Sequence, residues 1–315
     1  MKRRDLLRVL GKVAVAALGG ALLAGCPDEE TDENAGDDGI PDNGSPPPID
    51  FSCEPRGILP AALLTCRNWI TFAPPRPFNP GQVPASEALL NSALSQLARE
   101  GWRGLVTYSL DPTQGLDRVP RLAKQNGFTM VLAGLFIFDE RQFQRERAVA
   151  LAQIQSIDGF VLGNEVLQRN VPGFTRQRLA TEITRLRTET GRPVTTSEPF
   201  NQYHNDPALL AIGDWVFPNL QFWFDPTLRA IPQAVRAVES QFQALQAAAP
   251  SRAIVVKEAW WPTAGESAAT EANQTEFFRQ LATTRIPFIF GEAYDQFWKQ
   301  ELWARTALGA PYGHR

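Results

Sequence analysis

An alternation of short apolar runs with amphipathic segments constrains the fold of this chain more than any other feature. Eight apolar runs are strand candidates, because each is nearly continuous, as expected for a strand buried on both faces of a parallel sheet. They begin near Trp69, Gly104, Phe128, Gly159, Pro193, Asp214, Ala253 and Ile286. The pattern predicts a single (β/α)8 TIM barrel of the α/β class. A doubly wound open sheet is the alternative, but no glycine-rich dinucleotide loop follows any of these runs.

The segments between these runs have helical spacing of their apolar residues. The first predicted helix begins at Ser86, whose side chain can cap it, and ends before Gly101, a residue that favours a helix C-terminus. The other predicted helices cover residues 116–125, 141–155, 175–190, 231–248 and 274–284.

Residues 1–26 are typical of a bacterial export signal. A basic start at Lys2-Arg3-Arg4 precedes an apolar run from Val9 to Leu23, which is too short and too rich in Gly and Ala to span a membrane comfortably. Leu23-Ala24-Gly25-Cys26 resembles a lipobox, which predicts a lipid on Cys26 and a membrane-anchored lipoprotein facing the periplasm or the cell surface. The Arg3-Arg4 pair resembles a Tat signal, and Sec export is the alternative.

Residues 27–50 are acidic and rich in Gly, Pro and Asn, so we expect a disordered tether. The barrel domain is then residues 51–315. With Cys26 lipidated, Cys53 and Cys66 are left as a possible disulfide of an exported protein, and two unpaired buried thiols are the alternative.

Charge and histidine content exclude several classes of function. A net charge of −3 and a pI near 5.6 give no reason to expect a nucleic-acid partner. The chain has only His204 and His314, which excludes a multi-histidine metal site and leaves a Ser-His-Asp triad dependent on His204. We therefore expect carboxylate chemistry without a metal or other cofactor.

Polar and aromatic residues collect where the strand candidates end. They are Tyr108, Asn164, Glu165, Glu198, Trp223, Glu258 and Glu292. A parallel barrel carries its active site at this edge. Two carboxylates there, Glu165 and Glu258, can protonate a leaving oxygen and attack a sugar or activate water, so they predict glycosidic-bond chemistry.

Five segments in a fixed order point to one family. Gly163-Asn164-Glu165-Val166 resembles an acid/base motif, and Glu258-Ala259-Trp260-Trp261-Pro262-Thr263-Ala264-Gly265 resembles a nucleophile motif. The others are Val106-Thr107-Tyr108-Ser109, Asn273-Gln274 with Phe277, and Glu292-Ala293-Tyr294-Asp295 with Trp298-Lys299. From about Arg67 to Trp303 the chain thus resembles glycoside hydrolase family seventeen, the β-1,3-glucanases and related glucanosyltransferases.

The resemblance implies a retaining reaction on a β-linked glucan, most readily a β-1,3-glucan, with Glu165 as general acid/base and Glu258 as nucleophile. It also implies that Asn164 binds the sugar 2-hydroxyl. Glu165 must then stay protonated near neutral pH while Glu258 stays ionised, and the two carboxyls should lie about 5–5.5 Å apart. The expected partner is a β-linked poly- or oligosaccharide, and we expect a monomer.

Other residues are expected to bind substrate. Tyr108 and Glu292 are candidate rim residues, with a core tyrosine and a surface salt bridge as the alternatives. Lys299 is expected either to accompany Glu292 or to be a solvated lysine. Glu198 is expected to line the cleft or to lie at a helix N-terminus. Aromatic rings can stack on pyranose faces, and the candidates are Trp223, Trp260, Trp261 and Trp298. We predict that Trp223 and Trp260 are exposed and that Trp261 is at least partly structural.

Two residues depart from the family pattern. Lys257 precedes the nucleophile where the family has a small residue, and Trp260 replaces a glycine. Strand alternation predicts that Lys257 points away from Glu258, which excludes it as the cation beside the nucleophile. Both departures favour one alternative, a non-catalytic glucan-binding surface lipoprotein. Further alternatives are a glucanosyltransferase and a β-glycanase of another linkage.

Overall fold

The computed structural model describes residues 53–263 and 265–296. The predicted signal and tether, including Cys26, lie outside the described residues, as do Trp298 and Lys299. Within the described part, no helix is both long enough and apolar enough to cross a membrane.

Five parallel strands form a continuous sheet in chain order. They are β1 (Trp69–Phe72), β2 (Gly104–Thr107), β3 (Met130–Leu135), β4 (Gly159–Asn164) and β5 (Val194–Ser197). Nearly every strand residue is buried, as the continuous apolar runs predict. Gly104 pairs with Trp69, and a Cβ on Gly104 would lie 2.4 Å from the Trp69 indole, so glycine lets the indole fit there.

Isolated parallel bridges connect β5 to β1 through three further segments, so that the strands and these segments form a ring. They are Pro199–Asn219, Val216–Ile254, Asn219–Glu258, Val256–Phe288 and Ile70–Phe290. The sixth, seventh and eighth predicted strands therefore occupy their barrel positions as bridged segments rather than as regular strands. Pro218 and Pro287 account for part of this irregularity, because proline has no N–H to donate to a ladder.

Eight α-helices occur in the described residues, and all but the first follow a strand or a bridged segment of the ring. They are α1 (Ala61–Thr65), α2 (Glu87–Arg99), α3 (Val119–Gln125), α4 (Glu140–Ala152), α5 (Arg176–Thr190), α6 (Phe200–Asn205), α7 (Ile231–Ala248) and α8 (Glu271–Ala282). Ser86 caps α2 as predicted, by accepting a hydrogen bond from the Leu89 N–H. No sequence signal predicted the short helices α1 and α6.

The barrel interior is filled by apolar side chains from the strands and by the segment that contains α1. This cluster comprises Leu59, Ala62, Leu63, Trp69, Val106, Met130, Leu132, Val161, Trp215, Phe217, Val255 and Ile289. Because Trp69 and Met130 begin their strands, the α1 segment lies at the amino-terminal end of the barrel. A disulfide between Cys53 and Cys66 brackets this segment, with Cα atoms 5.7 Å apart. The carboxyl ends of the strands are left for polar side chains.

Candidate active site

A cleft of about 700 Å³ opens at the carboxyl ends of the strands. The predicted residues Tyr108, Asn164, Glu165, Glu258 and Glu292 all line it, although they are far apart in the chain. Its walls also contain Phe72, Phe78, Leu116, Phe136, Phe138, Arg169, Gln221, Trp223, Phe224 and Trp260. Parallel strands bring their carboxyl ends to one edge, which explains the convergence.

Glu165 follows β4 directly and has a left-handed backbone conformation, with φ of 57°. Its N–H donates to the Ser197 carbonyl at 2.7 Å, which fixes the turn against β5. Its Oε1 accepts hydrogen bonds from Asn219 Nδ2 at 2.8 Å and from Gln221 Nε2. Burial first, and then the charge of Glu258, raise the pKa of the Glu165 carboxyl above its ordinary value of 4.5. This setting favours a proton donor.

Glu258 is the second carboxylate that we predicted for the cleft, and it is more deeply buried than Glu165, at 6% exposure. Lys257 Nζ donates to its Oε1 at 2.9 Å. The backbone of Glu258 is fixed by the Leu220 N–H, which donates to its carbonyl at 2.7 Å. The Lys257 ammonium therefore gives the Glu258 carboxylate surroundings that differ from those of Glu165.

The prediction that Lys257 points away from Glu258 is wrong. The backbone bends at Lys257, and its neighbours Val256 and Glu258 both form strand bridges. Val255, two positions earlier, belongs to the barrel interior, so strand alternation places the Lys257 side chain in the interior too. The bend then lets the side chain of Glu258 point to the same side of the segment, where it lines the cleft. The lysine side chain is only 1% exposed.

A chain of hydrogen bonds joins the two carboxylates. Asn164 Oδ1 accepts from Lys257 Nζ and from Asn219 Nδ2, the latter at 3.3 Å. Asn219 also donates to Glu165, and Lys257 also donates to Glu258. Two donors converge on the Asn164 oxygen, so its NH2 group is the part of the amide available to a ligand.

Asn219 and Gln221 contact Glu165, but the sequence interpretation did not include them. Asn219 is fully buried and accepts a hydrogen bond from Ser197 Oγ at 2.9 Å. It ends the sixth strand segment, so the pattern of polar residues at strand ends would have identified it. The predicted extension of that run toward Phe224 hid this boundary, because residues 222–224 form a 3-10 turn.

Tyr108 and Glu292 lie in the cleft as expected for rim residues. Burial first, followed by the charges of Glu258 and Glu292, raises the pKa of the Tyr108 phenol well above its usual value. The Tyr108 hydroxyl therefore stays protonated beside these carboxylates and remains a hydrogen-bond donor. Its ring also faces Lys257 Nζ, which lies 4.5 Å from the ring centroid.

The expectation that Glu198 lines the cleft is wrong. Its side chain is fully buried, and it accepts hydrogen bonds from the N–H groups of Leu167 at 2.8 Å and Gln168 at 3.2 Å. The Ser197 hydroxyl points to Asn219, so strand alternation points the side chain of the next residue, Glu198, to the other side of the strand. There its hydrogen bonds fix the loop that follows Glu165. Burial raises the pKa of Glu198 to about 7, against the effect of the two backbone hydrogen bonds.

The tryptophans differ in their environments. Trp260 lines the cleft and is partly exposed, as predicted. Trp223 also lines it, but the expected exposure is wrong, because only 5% is exposed and Arg229 lies 4.0 Å above its ring. The assignment of Trp261 to substrate binding is wrong, since it is fully buried and its Nε1 donates to the Ala268 carbonyl at 2.8 Å. Its structural role was predicted.

Glu146 of α4 supports the cleft wall from behind, although no sequence pattern singled it out. It is fully buried and accepts hydrogen bonds from Ser109 Oγ, the Leu110 N–H, the Phe136 N–H and Gln142 Nε2. Three of these four donors line the cleft. Burial raises the pKa of Glu146 to about 7.

Arg169, also absent from the sequence interpretation, holds the loop after β4. Its guanidinium donates to the carbonyls of Asn164 and Ile137, each at 2.9 Å, and lies over the Phe136 ring. Its charge partly opposes the raised pKa of Glu165. Among residues 53–263 and 265–296, no group of three or more His, Cys, Asp or Glu side chains could hold a metal ion.

Comparison with known proteins connects this geometry to carbohydrate enzymes. Residues 70–312 match the model of the BtgE/BtgC glycoside hydrolase domain. The probable β-glucosidase btgE of Aspergillus clavatus is 26% identical over 231 residues, which cover 68% of this chain and 40% of that protein. Its counterpart in Aspergillus terreus is 27% identical over 193 residues, covering 58% and 34%. The chain thus spans about two fifths or less of the length of these relatives.

Solved structures show the same fold. A glycoside hydrolase family 17 β-1,3-glucanosyltransferase from Rhizomucor miehei matches with a TM-score of 0.62 and 18% identity, covering 74% of this chain and 88% of that one. An active-site mutant of the Rhizomucor enzyme in complex with laminaritriose matches with a TM-score of 0.60 and 17% identity, covering 73% and 88%. The two-carboxylate cleft therefore lies in a barrel of the kind used by glycoside hydrolases.

Proposed function

Since the chain belongs to the BtgE/BtgC glycoside hydrolase family, we propose that it cleaves β-linked glucans with retention of configuration, using Glu165 as acid/base and Glu258 as nucleophile. One observation carries this proposal. Two carboxylates line one cleft in different electrostatic settings, with Glu165 in a partly buried site that raises its pKa and Glu258 buried beside an ammonium. Such asymmetry separates the acid from the nucleophile.

The chemistry follows from these positions. Glu165 gives its proton to the glycosidic oxygen as the bond from that oxygen to C1 breaks, and a Glu258 oxygen bonds to C1. Water then attacks C1 and gives a proton to Glu165, and the bond from C1 to Glu258 breaks. Asn164, with its oxygen occupied by two donors, offers its NH2 group to a sugar hydroxyl.

A β-1,3-glucan is the substrate we propose. The Rhizomucor structure that shares the fold is named a β-1,3-glucanosyltransferase, and its mutant was solved with laminaritriose. The cleft supplies both the aromatic faces and the carboxylates that sugar binding uses, because Tyr108, Trp260, Glu258 and Glu292 line it together.

Transfer to a second glucan is the closest variant of this function, since a sugar hydroxyl can replace water in the second step. The name of the Rhizomucor enzyme favours transfer, whereas the names of the Aspergillus relatives favour hydrolysis. The amount of acceptor-extended product distinguishes the two.

A non-catalytic glucan-binding protein is the second candidate. It is favoured by the ion pair between Lys257 and Glu258, because a carboxylate held by an ammonium is a weaker nucleophile. The convergence of Glu165 and Glu258 in one cleft with different surroundings counts against it, because glucan binding alone does not require such a pair.

We also propose that the chain is exported and anchored by a lipid on Cys26. The basic start and the Leu23-Ala24-Gly25-Cys26 sequence support this. The disulfide between Cys53 and Cys66 supports an oxidising compartment. Mass measurement of the mature protein from membranes tests it, because an unprocessed or unlipidated N-terminus contradicts the proposal.

The catalytic proposal is tested by incubating the protein with a reduced linear β-1,3-glucan oligosaccharide and analysing the products by mass. We expect shorter products, or longer ones if transfer competes, from the wild type and from the surface control Glu276→Gln. Glu258→Gln should give none. Binding of the oligosaccharide by both wild type and Glu258→Gln, without products from either, would favour the binding protein.

A further inference from the structure

Lys257 makes more contacts than the pairing of one carboxylate requires. Its ammonium donates to Glu258 Oε1 at 2.9 Å and to Asn164 Oδ1, and it lies 4.5 Å from the centroid of the Tyr108 ring. Its side chain is 1% exposed, so these three groups replace most of its water. A buried ammonium requires such compensation.

Two of these three contacts do not depend on the charge of Glu258. When Glu258 becomes a glycosyl ester it loses its negative charge, but the Asn164 oxygen and the Tyr108 ring still face the ammonium. The cation therefore has partners both before and after the ester forms.

We propose that Lys257 is a positioning residue that aligns Glu258 with Asn164, and whose charge favours release of Glu258 from the glycosyl ester. This inference rests on the proposed retaining function.

The charge of Glu258 changes in both steps of the proposed reaction. In the first step, an oxygen of Glu258 bonds to C1, while the leaving oxygen takes the electrons of its bond to C1 and the proton of Glu165. In the second, water bonds to C1, its proton passes to Glu165, and the electrons of the C1–O bond return to Glu258. The adjacent Lys257 ammonium opposes the loss of negative charge from Glu258 in the first step. It favours the return of that charge in the second step, so the ester is short-lived.

The test is a rapid-mixing measurement with dinitrophenyl β-glucoside, whose leaving group needs no proton and makes ester formation fast. Each protein is assayed at its own optimum pH. Wild type should show no burst of dinitrophenol. Lys257→Met, which keeps the side-chain length without the charge, should show a burst of about one equivalent. Its steady-state rate should fall roughly ten- to a hundredfold, the equivalent of one charge-assisted hydrogen bond.

Lys124→Met is the matched control, because Lys124 forms an ion pair with Asp158 at 2.7 Å, away from the cleft-lining residues. This variant should show no burst. Lys257→Ala provides a second readout, since added propylammonium replaces the missing atoms and should restore the steady-state rate, whereas propanol should not.

A burst of dinitrophenol from the wild type overturns the inference, and so does the absence of a burst from Lys257→Met. A steady-state rate of Lys257→Ala that propylammonium leaves unchanged also overturns it. If Lys257→Met does not fold, the wild-type burst and the propylammonium response decide. The proposed function fails separately, when neither wild type nor Lys124→Met forms product from dinitrophenyl β-glucoside or from β-glucan oligosaccharides.

Discussion

Lys257 Nζ lies 2.9 Å from Glu258 Oε1, in an ion pair whose side chains are 1% and 8% exposed. The two residues are adjacent in the chain, so regular alternation would put them on opposite faces of the strand. The bend at Lys257 lets both side chains point to the same side, with Glu258 lining the cleft and Lys257 buried beside it. The ammonium gives Glu258 surroundings different from those of Glu165. That difference supports the separate roles that we propose for Glu165 and Glu258.

Removing Glu165 and removing Glu258 should produce different defects, because in the proposed mechanism Glu165 acts on the leaving group and Glu258 on C1. Glu165→Ala should lose activity on unactivated glucans but keep ester formation with dinitrophenyl β-glucoside, and azide should then yield a β-glycosyl azide. Glu258→Ala with azide and an activated β-glycoside should yield the α-azide. Product analysis by NMR checks the assignment, and the opposite pattern of azides would reverse the roles.

Asn219 should set the upper pH limit of activity. Its hydrogen bond to Glu165 lowers the pKa of that carboxyl, so Asn219→Ala should raise the pKa further. Protonated Glu165 would then persist to higher pH, and the basic limb of the profile of kcat/KM should move upward. The exposed amide variant Asn91→Ala should leave the limb in place. A shift to lower pH in Asn219→Ala contradicts this account.

Glu146 should make stability depend on pH. Its pKa rises from 4.5 to about 7 on folding, so the folded state binds its proton more tightly. The resulting stabilisation is fully present below pH 4.5 and is lost as pH rises through about 7, with a total on the order of 3 kcal/mol.

Glu146→Gln keeps the shape but cannot titrate. Denaturant unfolding between pH 4 and 8 should therefore show a smaller fall in the free energy of unfolding for this variant than for the wild type. Equal slopes in the two proteins would mean that Glu146 is ionised throughout this range.

Trp260 and Trp261 are adjacent in the chain, but replacing one should mainly weaken oligosaccharide binding and replacing the other should mainly lower stability. Trp261→Ala removes a fully buried ring and should lower the free energy of unfolding by roughly 3–5 kcal/mol. Trp260→Ala removes a cleft wall and should weaken oligosaccharide binding by roughly 1 kcal/mol, with a smaller loss of stability. Calorimetric titration measures the free energy of oligosaccharide binding, and chemical denaturation measures the free energy of unfolding. Equal losses of stability in Trp260→Ala and Trp261→Ala would contradict this prediction.

The sequence predicted the barrel and the convergence of Glu165 and Glu258 in one cleft, because both depend on periodicity and on the residue type at the end of each strand. Asn164 and Glu165 directly follow an apolar run and Glu258 follows another after Lys257, so their positions needed no knowledge of side-chain contacts. Asn219 was missed because the sixth run was extended beyond its true end.

The errors have a different cause. The direction of Lys257 depends on a bend between two residues, Val256 and Glu258, that form bridges to neighbouring segments. Trp223 packs against the ring of Trp261, 4.8 Å away, which follows the next strand segment of the chain. Glu198 was placed in the cleft because it follows a strand, but the hydroxyl of Ser197 occupies the inward position. Such features arise from packing between elements, which no single stretch of sequence contains.

The anomeric form of the first product tests the central claim most directly. Proton NMR during cleavage of a linear β-1,3-glucan oligosaccharide should show the β-anomer appearing first, with the α-anomer following by mutarotation, and Glu258→Gln should release neither. If the α-anomer appears first, the reaction inverts configuration, and Glu258 cannot be the nucleophile that this account requires.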